Sequence, residues 1–466
     1  MGITIIQKSN LTPKKGGGKI ALVLAGWAMS GGAFKIGGLK ALNDFLVNRK
    51  LTDFDIYVGL SAGALLAVPL AGGISPEEML KSIDGTSPDF TQMSPFDLYW
   101  PNFSEFVSRP FKYVYGHMSF LPGVLWDLFS AFPRLDWRKF RHDLEDFLKN
   151  PTYSRYEKLT MPLFKIAFSQ RTLPSFGELI PSGIFDSRPL ERYLRENMRQ
   201  NKMPDNFRVL KRATCKSLYM TAMNLDTSEN VIFGPDEKND VSISGAVLAS
   251  SAIPVFYKPA RLKGVDYIDG GVRKTANIDL AIEKGADLVI CYNPFRPYNN
   301  KVMVEFLREE RKFITRNKRL SDWGMGTVIN QVFRTLFHSR LQYGLQQLTS
   351  DPDFNQDIIL IEPTEDDSDF FTMNPLYYWN RAKAAKLGFD SVTQSIEKHY
   401  DDISVILKAY GIQMTREQIS EDRDLMSNSH FDDHVIMDVL EKPHASHHKS
   451  ARRGDLGLRV VQGGRR

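Results

Sequence analysis

Gly59, Ser61 and Gly63 alternate in DIYVGLSAGALLAV, Asp55–Val68, between an apolar run and a run of small apolar residues. A Gly-x-Ser-x-Gly array that ends a strand and opens a helix puts its serine on a turn too sharp for flanking side chains. Glycine at 59 and 63 removes those clashes. The serine oxygen then projects above the sheet at a helix N-terminus, where free backbone N–H groups can stabilise an oxyanion. The array alone also arises in packing turns. The strand before it and the helix after it give it chemical meaning, and that chemistry is nucleophilic attack by Ser61 on a carbonyl.

A serine nucleophile needs a base. Of nine histidines, His117, His142, His338 and His399 fall in regions expected to be ordered, and no loop signature marks any of them. The segment VDYIDGGVRKTANI, Val265–Ile278, offers a carboxylate instead. Asp269 follows a short apolar stretch and precedes Gly270 and Gly271, whose tight turn could aim it. Read alone, Asp-Gly-Gly is a hairpin turn. An apolar setting raises a carboxyl pKa and makes it a better base, and Val265, Tyr267 and Ile268 could supply that setting. Arg273 and Lys274 read as solvated turn charges, and Ser250 and Ser251 as small pocket-shaping residues.

The Gly-x-Ser-x-Gly array followed much later by Asp-Gly-Gly resembles the patatin-like phospholipase family. LVLAGWAMSGGAFKIGGLKAL, Leu22–Leu42, is similar to that family's first strand, glycine-rich oxyanion loop and helix. AVLASSAIPVFYKPARL, Ala246–Leu262, is similar to its Ala-Ser-x-Ala-x-Pro segment, and TAMNLDTSENVIF, Thr221–Phe233, to the strand pair before it. The resemblance covers roughly Ile20 to Asn293, with a helical extension to about Tyr410. It implies an α/β fold: a three-layer α/β/α sandwich with a mostly parallel central sheet. It also implies a serine–aspartate dyad that hydrolyses acyl esters of lipids, as a phospholipase A or lysophospholipase does. Ser61 would be the nucleophile and Asp269 the base, with no histidine, cofactor or metal required. The oxyanion loop departs from the family pattern of three glycines, any residue, a basic residue and glycine. Ala25-Gly26-Trp27-Ala28-Met29-Ser30-Gly31-Gly32 loses two glycines, gains a residue and lacks the basic one. Gly31 and Gly32 remain as donors, assisted by Ala62 after the nucleophile. A lost donor would cost about 2.7–4 kcal/mol.

These residues must be positioned by alternating elements. Ile20–Leu24 reads as a buried strand, Gly26–Gly32 as a loop and Ala33–Asn48 as a helix. Phe54–Leu60 and Ala62–Leu70 read as a second strand and helix, which is α/β organisation with parallel strands. Ser75–Ser104 reads as irregular. Tyr113–Pro133 is aromatic and apolar, with Asp127 its only formal charge, and Pro122 and Gly123 are expected to break it. It is either a core hairpin or an apolar cap that touches lipid. Further helices are expected at Leu135–Leu148, Ile184–Asn197 (capped by Asp186 or Ser187), Gly245–Ser251, Asn300–Leu348 and Pro375–Tyr410. Arg308–Arg319 reads as a charged helical face, and Val328, Val332, Leu336, Leu341 and Leu345 as a core stripe. Strands are expected at Leu163–Phe168, Leu218–Met223, Asn230–Phe233, Leu288–Tyr292 and Ile358–Glu362. By domain, residues 1–18 form a flexible lead-in. Residues 19–300 form the catalytic domain, with an inserted apolar cap at about 105–150. Residues 301–410 form a helical extension with a late strand packing on the core, 411–440 a polar region and 441–466 a disordered basic tail.

The chain has 466 residues, 42% hydrophobic and 25% charged, which suits a large globular core. A net charge of +5 is mildly basic, and no interleaved basic and aromatic run suggests nucleic acid. Anionic lipid headgroups would suit such a surface. Cys215 and Cys291 make no disulfide framework and read as structural thiols in a reducing compartment. No Cys/His group has metal-ligand spacing, and His444, His447 and His448 sit in the expected disordered tail. KKGGGKIALVLAGWAM has the outline of a signal peptide but reads as a lead-in and a buried strand. No stretch reaches transmembrane length. The expected setting is cytoplasmic, with peripheral membrane contact through Tyr113–Pro133 open. Two other readings remain: an α/β-hydrolase esterase using Ser61, Asp269 and His338 or His399, and a catalytically impaired lipid-binding protein, favoured by the altered glycine loop.

Overall fold

The computed structural model describes residues 2–11, 18–26, 29–131, 136–168, 175–300, 302, 304–307, 312–315, 318–364, 367, 370–371, 381–428 and 432–443. The chain divides into two compact units, Pro101–Asp186 and the remainder.

The larger unit is built on a mixed, mostly parallel sheet. Its described strands are β1 (Ile3–Ile6), β2 (Ile20–Leu24), β3 (Ile56–Gly59), β5 (Ser217–Asn224), β6 (Asn230–Phe233), β8 (Ala260–Leu262), β9 (Val265–Asp269), β10 (Leu288–Tyr292) and β13 (Asp357–Ile361). Outside this sheet lie β4 (Gly183–Phe185), β7 (Val255–Tyr257) and a hairpin of β11 (Val304–Leu307) with β12 (Lys312–Thr315). The sheet order is β1-β13-β10-β2-β3-β5-β9-β8, with β6 beside β5. From β13 to β5 the neighbours run parallel, while β1, β6, β8 and β9 add antiparallel pairs. IALVL, LVICY and DIILI are buried at every position. Such unbroken apolar strands are what a parallel sheet covered on both faces requires.

Helix α1 (Met29–Phe45) follows β2, and α2 (Ala62–Ala71) follows β3. The expected loop Gly26–Gly32 is therefore shorter, because helix begins at Met29 (Trp27 and Ala28 lie outside the described residues). α1 is buried nearly all round. A Cβ on Gly37 would sit 1.8 Å from Ala385 O, and one on Gly388 1.8 Å from Phe34 O, so α1 and the Arg381–Lys398 helix meet backbone to backbone. Lys40 on α1 pairs with Asp44 and reaches Asp422 at 3.4 Å, which ties it to the Glu417–Asn428 helix.

Several elements differ from expectation. Ser75–Ser104 contains α3 (Pro76–Asp84), capped by Ser75 with Pro76 in its first turn and stopped by Gly85 at φ 87°. Tyr113–Pro133 is no hairpin. Phe103–Ala131 is one helix that carries Pro110 and Pro122 inside it, and Pro133 lies outside the described residues. Leu163–Phe168 is helical, the end of Tyr153–Phe168. Tyr156, Leu159, Leu163 and Ile166 recur at helical spacing, and a six-residue apolar window hides that period. Asn300–Leu348 is helical only from Met325, and the described part of Arg308–Arg319 includes strand β12. The Met325–Ser350 helix buries Arg334, Phe337, Leu341 and Leu345, whereas Val328, Val332 and Leu336 are exposed. The 411–440 segment holds two helices that bury Ile419, Met426, Ile436, Val439 and Leu440. Ser187, rather than Asp186, sits at the cap of Arg188–Gln200. Cys291 is buried but Cys215 is exposed, ending a helix in the left-handed region. The tail from 444, with its three histidines, lies outside the described residues.

Candidate active site

Parallel strands deliver their carboxyl ends to one edge of the sheet, where α/β proteins place their sites. Leu24 on β2 is level with Gly59 on β3, and Gly59 with Met220 on β5. Two residues further along β5, Ala222 is level with Asp269, the last residue of antiparallel β9. Ser61, two residues past β3, and Asp269 are thereby brought together although distant in sequence.

Ser61 sits at φ 56° and ψ −129°, a conformation that L-residues resist. Its neighbours enforce it. A Cβ on Gly63 would lie 2.0 Å from Leu24 O, and one on Gly59 would lie 2.5 Å from the Ala64 Cα. Both glycines are required by close approach. The Ser61 N–H donates to Ser250 Oγ at 2.9 Å, and Ser61 itself is 2% exposed.

Asp269 is 4% exposed and caps the turn Gly270–Val272, its Oδ1 accepting the Gly271 N–H at 2.8 Å. Gly270 fits because a Cβ there would lie 2.7 Å from Thr221 O. The Ser61 side chain is near enough to the Asp269 carboxylate to favour its charged form. Burial raises the Asp269 pKa to about 6, against lowering contributions from Ser61, the Gly271 N–H and the charge of Lys35. Tyr267 and Ile268, next to it on β9, are buried as well. Phe337 packs beside Gly271 and Phe295 beside Gly26, and their rings meet edge to face at 4.7 Å. Arg340 on the Met325–Ser350 helix donates to Val272 O and ties that helix to the turn.

Gly31 and Gly32 lie in the first turn of α1, and Ala62 is the first residue of α2. First-turn N–H groups have no partner within their helix and form the positive end of its dipole. Gly32 and Ala62 also line one narrow apolar cavity with Ile36, Leu66, Met79 and Met198. That apolar space lies beside the residue that follows the serine. Arg273 and Lys274 are exposed, with Lys274 paired to Asp279. His338 Nδ1 lies 3.2 Å from Glu362, and His399 precedes the Tyr400–Ala409 helix, so neither is placed on the serine by the described contacts. Among the described residues no His, Cys, Asp and Glu group could hold a metal ion.

Sequence reasoning missed Lys35 and the Ser250 hydrogen bond. Lys35 is completely buried, and its Nζ donates to Ala25 O at 2.5 Å. The signal was its place in an apolar, glycine-rich segment with few other charges.

The family model for patatin-like phospholipase matches residues 22–282, more than half of the chain. The chain belongs to the patatin-like phospholipase family. Within this patatin-like span fall Ser61, Asp269 and Gly26, Gly31, Gly32, Gly59, Gly63, Gly270 and Gly271. A curated relative, "Probable lipid hydrolase 463L" of Invertebrate iridescent virus 6, is 24% identical over 183 residues, 38% of this chain and 53% of that protein. The chain thus spans about half the length of the curated relative it matches. Among solved structures, VipD from Legionella pneumophila is 15% identical, with 85% of this chain and 70% of that one covered and a TM-score of 0.32. The type III effector ExoU of Pseudomonas aeruginosa is 14% identical, covering 92% and 66%, with a TM-score of 0.31.

Proposed function

We propose that this protein is a lipid acyl hydrolase in which Ser61 attacks the ester carbonyl and Asp269 accepts its proton. The observation that carries this reading is the strained Ser61 turn and the buried Asp269 delivered to the same carboxyl edge of the sheet, with Ser61 acting on the Asp269 carboxylate. In the first step the Ser61 oxygen bonds to the acyl carbon while its proton moves to Asp269. The carbonyl oxygen becomes an oxyanion, facing the N–H groups of Gly31, Gly32 and Ala62. Collapse expels the alcohol, which takes the proton back from Asp269. Water then attacks the acyl-enzyme, Asp269 again accepting the proton, and Ser61 leaves with it. A base that titrates near 6 is ionised at neutral pH yet stronger than an ordinary carboxylate. The acyl chain lies in the apolar cavity beside Ala62 and Gly32.

Contact with the lipid surface falls to the Phe103–Ala131 helix. Phe111, Tyr115, Met118, Trp126 and Phe129 are each about 70% exposed and recur along one helical face. An exposed aromatic stripe of this length suits insertion into the headgroup boundary. Among the described residues no helix is long and apolar enough to cross a membrane.

Labelling with a fluorophosphonate tests the chemistry. Wild type should label, Ser61→Ala should not, and Asp269→Asn should label at least ~100-fold more slowly, the usual contribution of a positioned base. Labelling that survives in folded Ser61→Ala would overturn the assignment. A labelling defect in His338→Ala or His399→Ala as deep as that of Asp269→Asn would favour the triad reading instead.

A further inference from the structure

Lys35 lies on the second turn of α1 and is completely buried. Its ammonium donates to Ala25 O, and the Ala25 N–H in turn donates to Tyr292 O at 3.1 Å. The next residue, Gly26, touches the nucleophile: a Cβ there would lie 2.8 Å from the Ser61 Cβ. Lys35 therefore grips the backbone that borders Ser61. Its charge also acts on Asp269, and the charge of Asp269 acts on it. A buried cation is expensive unless it is compensated. Burial pulls Lys35 down to about 7, and Asp269 offsets part of that fall.

We propose that Lys35 is a third working member of this site, a positioning residue whose ammonium pins Ala25 and Gly26 beside Ser61 and whose charge keeps Asp269 ionised. The proposal rests on the reading of Ser61 and Asp269 as nucleophile and base. Lys35 transfers no proton: the serine proton goes to Asp269 and then to the leaving alcohol, and the ammonium keeps its own. Among the described residues, the charged group acting on Lys35 is Asp269. The groups acting on Asp269 are the Ser61 side chain, the Gly271 N–H and Lys35.

The test is the pH profile of fluorophosphonate labelling from pH 5 to 9 for wild type, Lys35→Met and Lys35→Arg. Without the charge, Asp269 holds its proton to higher pH. The acid limb of Lys35→Met should move up by about one pH unit, a ~5-fold loss near pH 6. Above pH 8, where the wild-type amine is itself neutral but still donates to Ala25 O, only the smaller, pH-independent loss from that missing hydrogen bond should remain, and Lys35→Arg should restore the acid limb. An equal loss at every pH, or an unmoved limb, overturns the proposal and leaves Lys35 as packing. Urea unfolding of Lys35→Met, Asp269→Asn and the double variant reads the pairing without any reaction. Coupling of about fivefold in the unfolding constant at pH 6.5, gone at pH 4 and pH 9, supports the pairing. Additivity at pH 6.5 overturns it. A wild type that does not label, with a coupled cycle, sinks the nucleophile reading and upholds the Lys35–Asp269 pairing. If Lys35→Met does not fold, Lys35→Gln takes its place in both arms.

Discussion

Burial makes Asp269 a stronger base and a poorer contributor to stability. Its folded pKa of about 6 lies above the 3.8 of an ordinary aspartate. Below pH 3.8 the folded and unfolded chains both hold the proton, and burial carries no charge penalty. As pH rises through 6 the folded carboxyl must ionise in an apolar site, so stability from the protonated form is lost. Asp269→Asn should therefore be more stable than wild type at pH 8 by about 3 kcal/mol, with most of that gain gone near pH 4. Urea midpoints at the two pH values check this, and equal differences at both would refute it. At this scale Ser61 and Asp269 were legible because glycines that a turn demands sit on either side of one and directly after the other. Lys35 was not. A lysine in a helix ordinarily reads as solvated charge, and its apolar, glycine-rich surroundings do not by themselves reveal that a later helix covers α1. The hydrogen bond to Ser250 was hidden for a similar reason: it joins residues 189 apart.

The elements that hold the site are gripped by small residues. Gly37 and Gly388 allow α1 and the Arg381–Lys398 helix to touch through their backbones. Gly37→Ala or Gly388→Ala must push the helices apart, at a cost of about 1–3 kcal/mol. The shift should move Lys35 and the first turn of α1, so labelling should fall along with the melting temperature. Variants that melt and label like wild type would show that the helices yield elsewhere. The central strands were readable because runs such as IALVL and LVICY are apolar without interruption. The Phe103–Ala131 helix was not, because prolines that usually end a helix are accommodated inside it. The hairpin of β11 and β12 lay hidden in a charged stretch whose composition suits a helix equally well.

At the scale of the molecule, the proposed reaction and the proposed surface contact belong to different units. Ser61, Asp269 and Lys35 lie in the larger unit, while the aromatic stripe lies in Pro101–Asp186. Trp126→Ser with Phe129→Ser should lower binding to anionic phosphatidylglycerol vesicles by about tenfold or more, since each aromatic removes over a kcal/mol of burial. Hydrolysis of a short soluble ester should be unchanged. Vesicle sedimentation measures the first and initial rates the second; undiminished sedimentation would assign the surface contact elsewhere. The fold class was legible at this scale, but the closing of the sheet was not. Ile3–Ile6 pairs with Asp357–Ile361, and Gly2 packs against Ser395. Synthesis proceeds from the amino end, so the first strand has no partner until Ile361 has been made. From residue 269 onward in that interval the ribosome carries a chain that already holds Ser61 and Asp269 but lacks the edge of its sheet and the clamp on α1. An unpaired apolar strand of that kind invites association with other chains. The setting of the site is thus complete only once residues beyond Ile361 have been made, and Ile3–Ile6 is among the last strands to find its place.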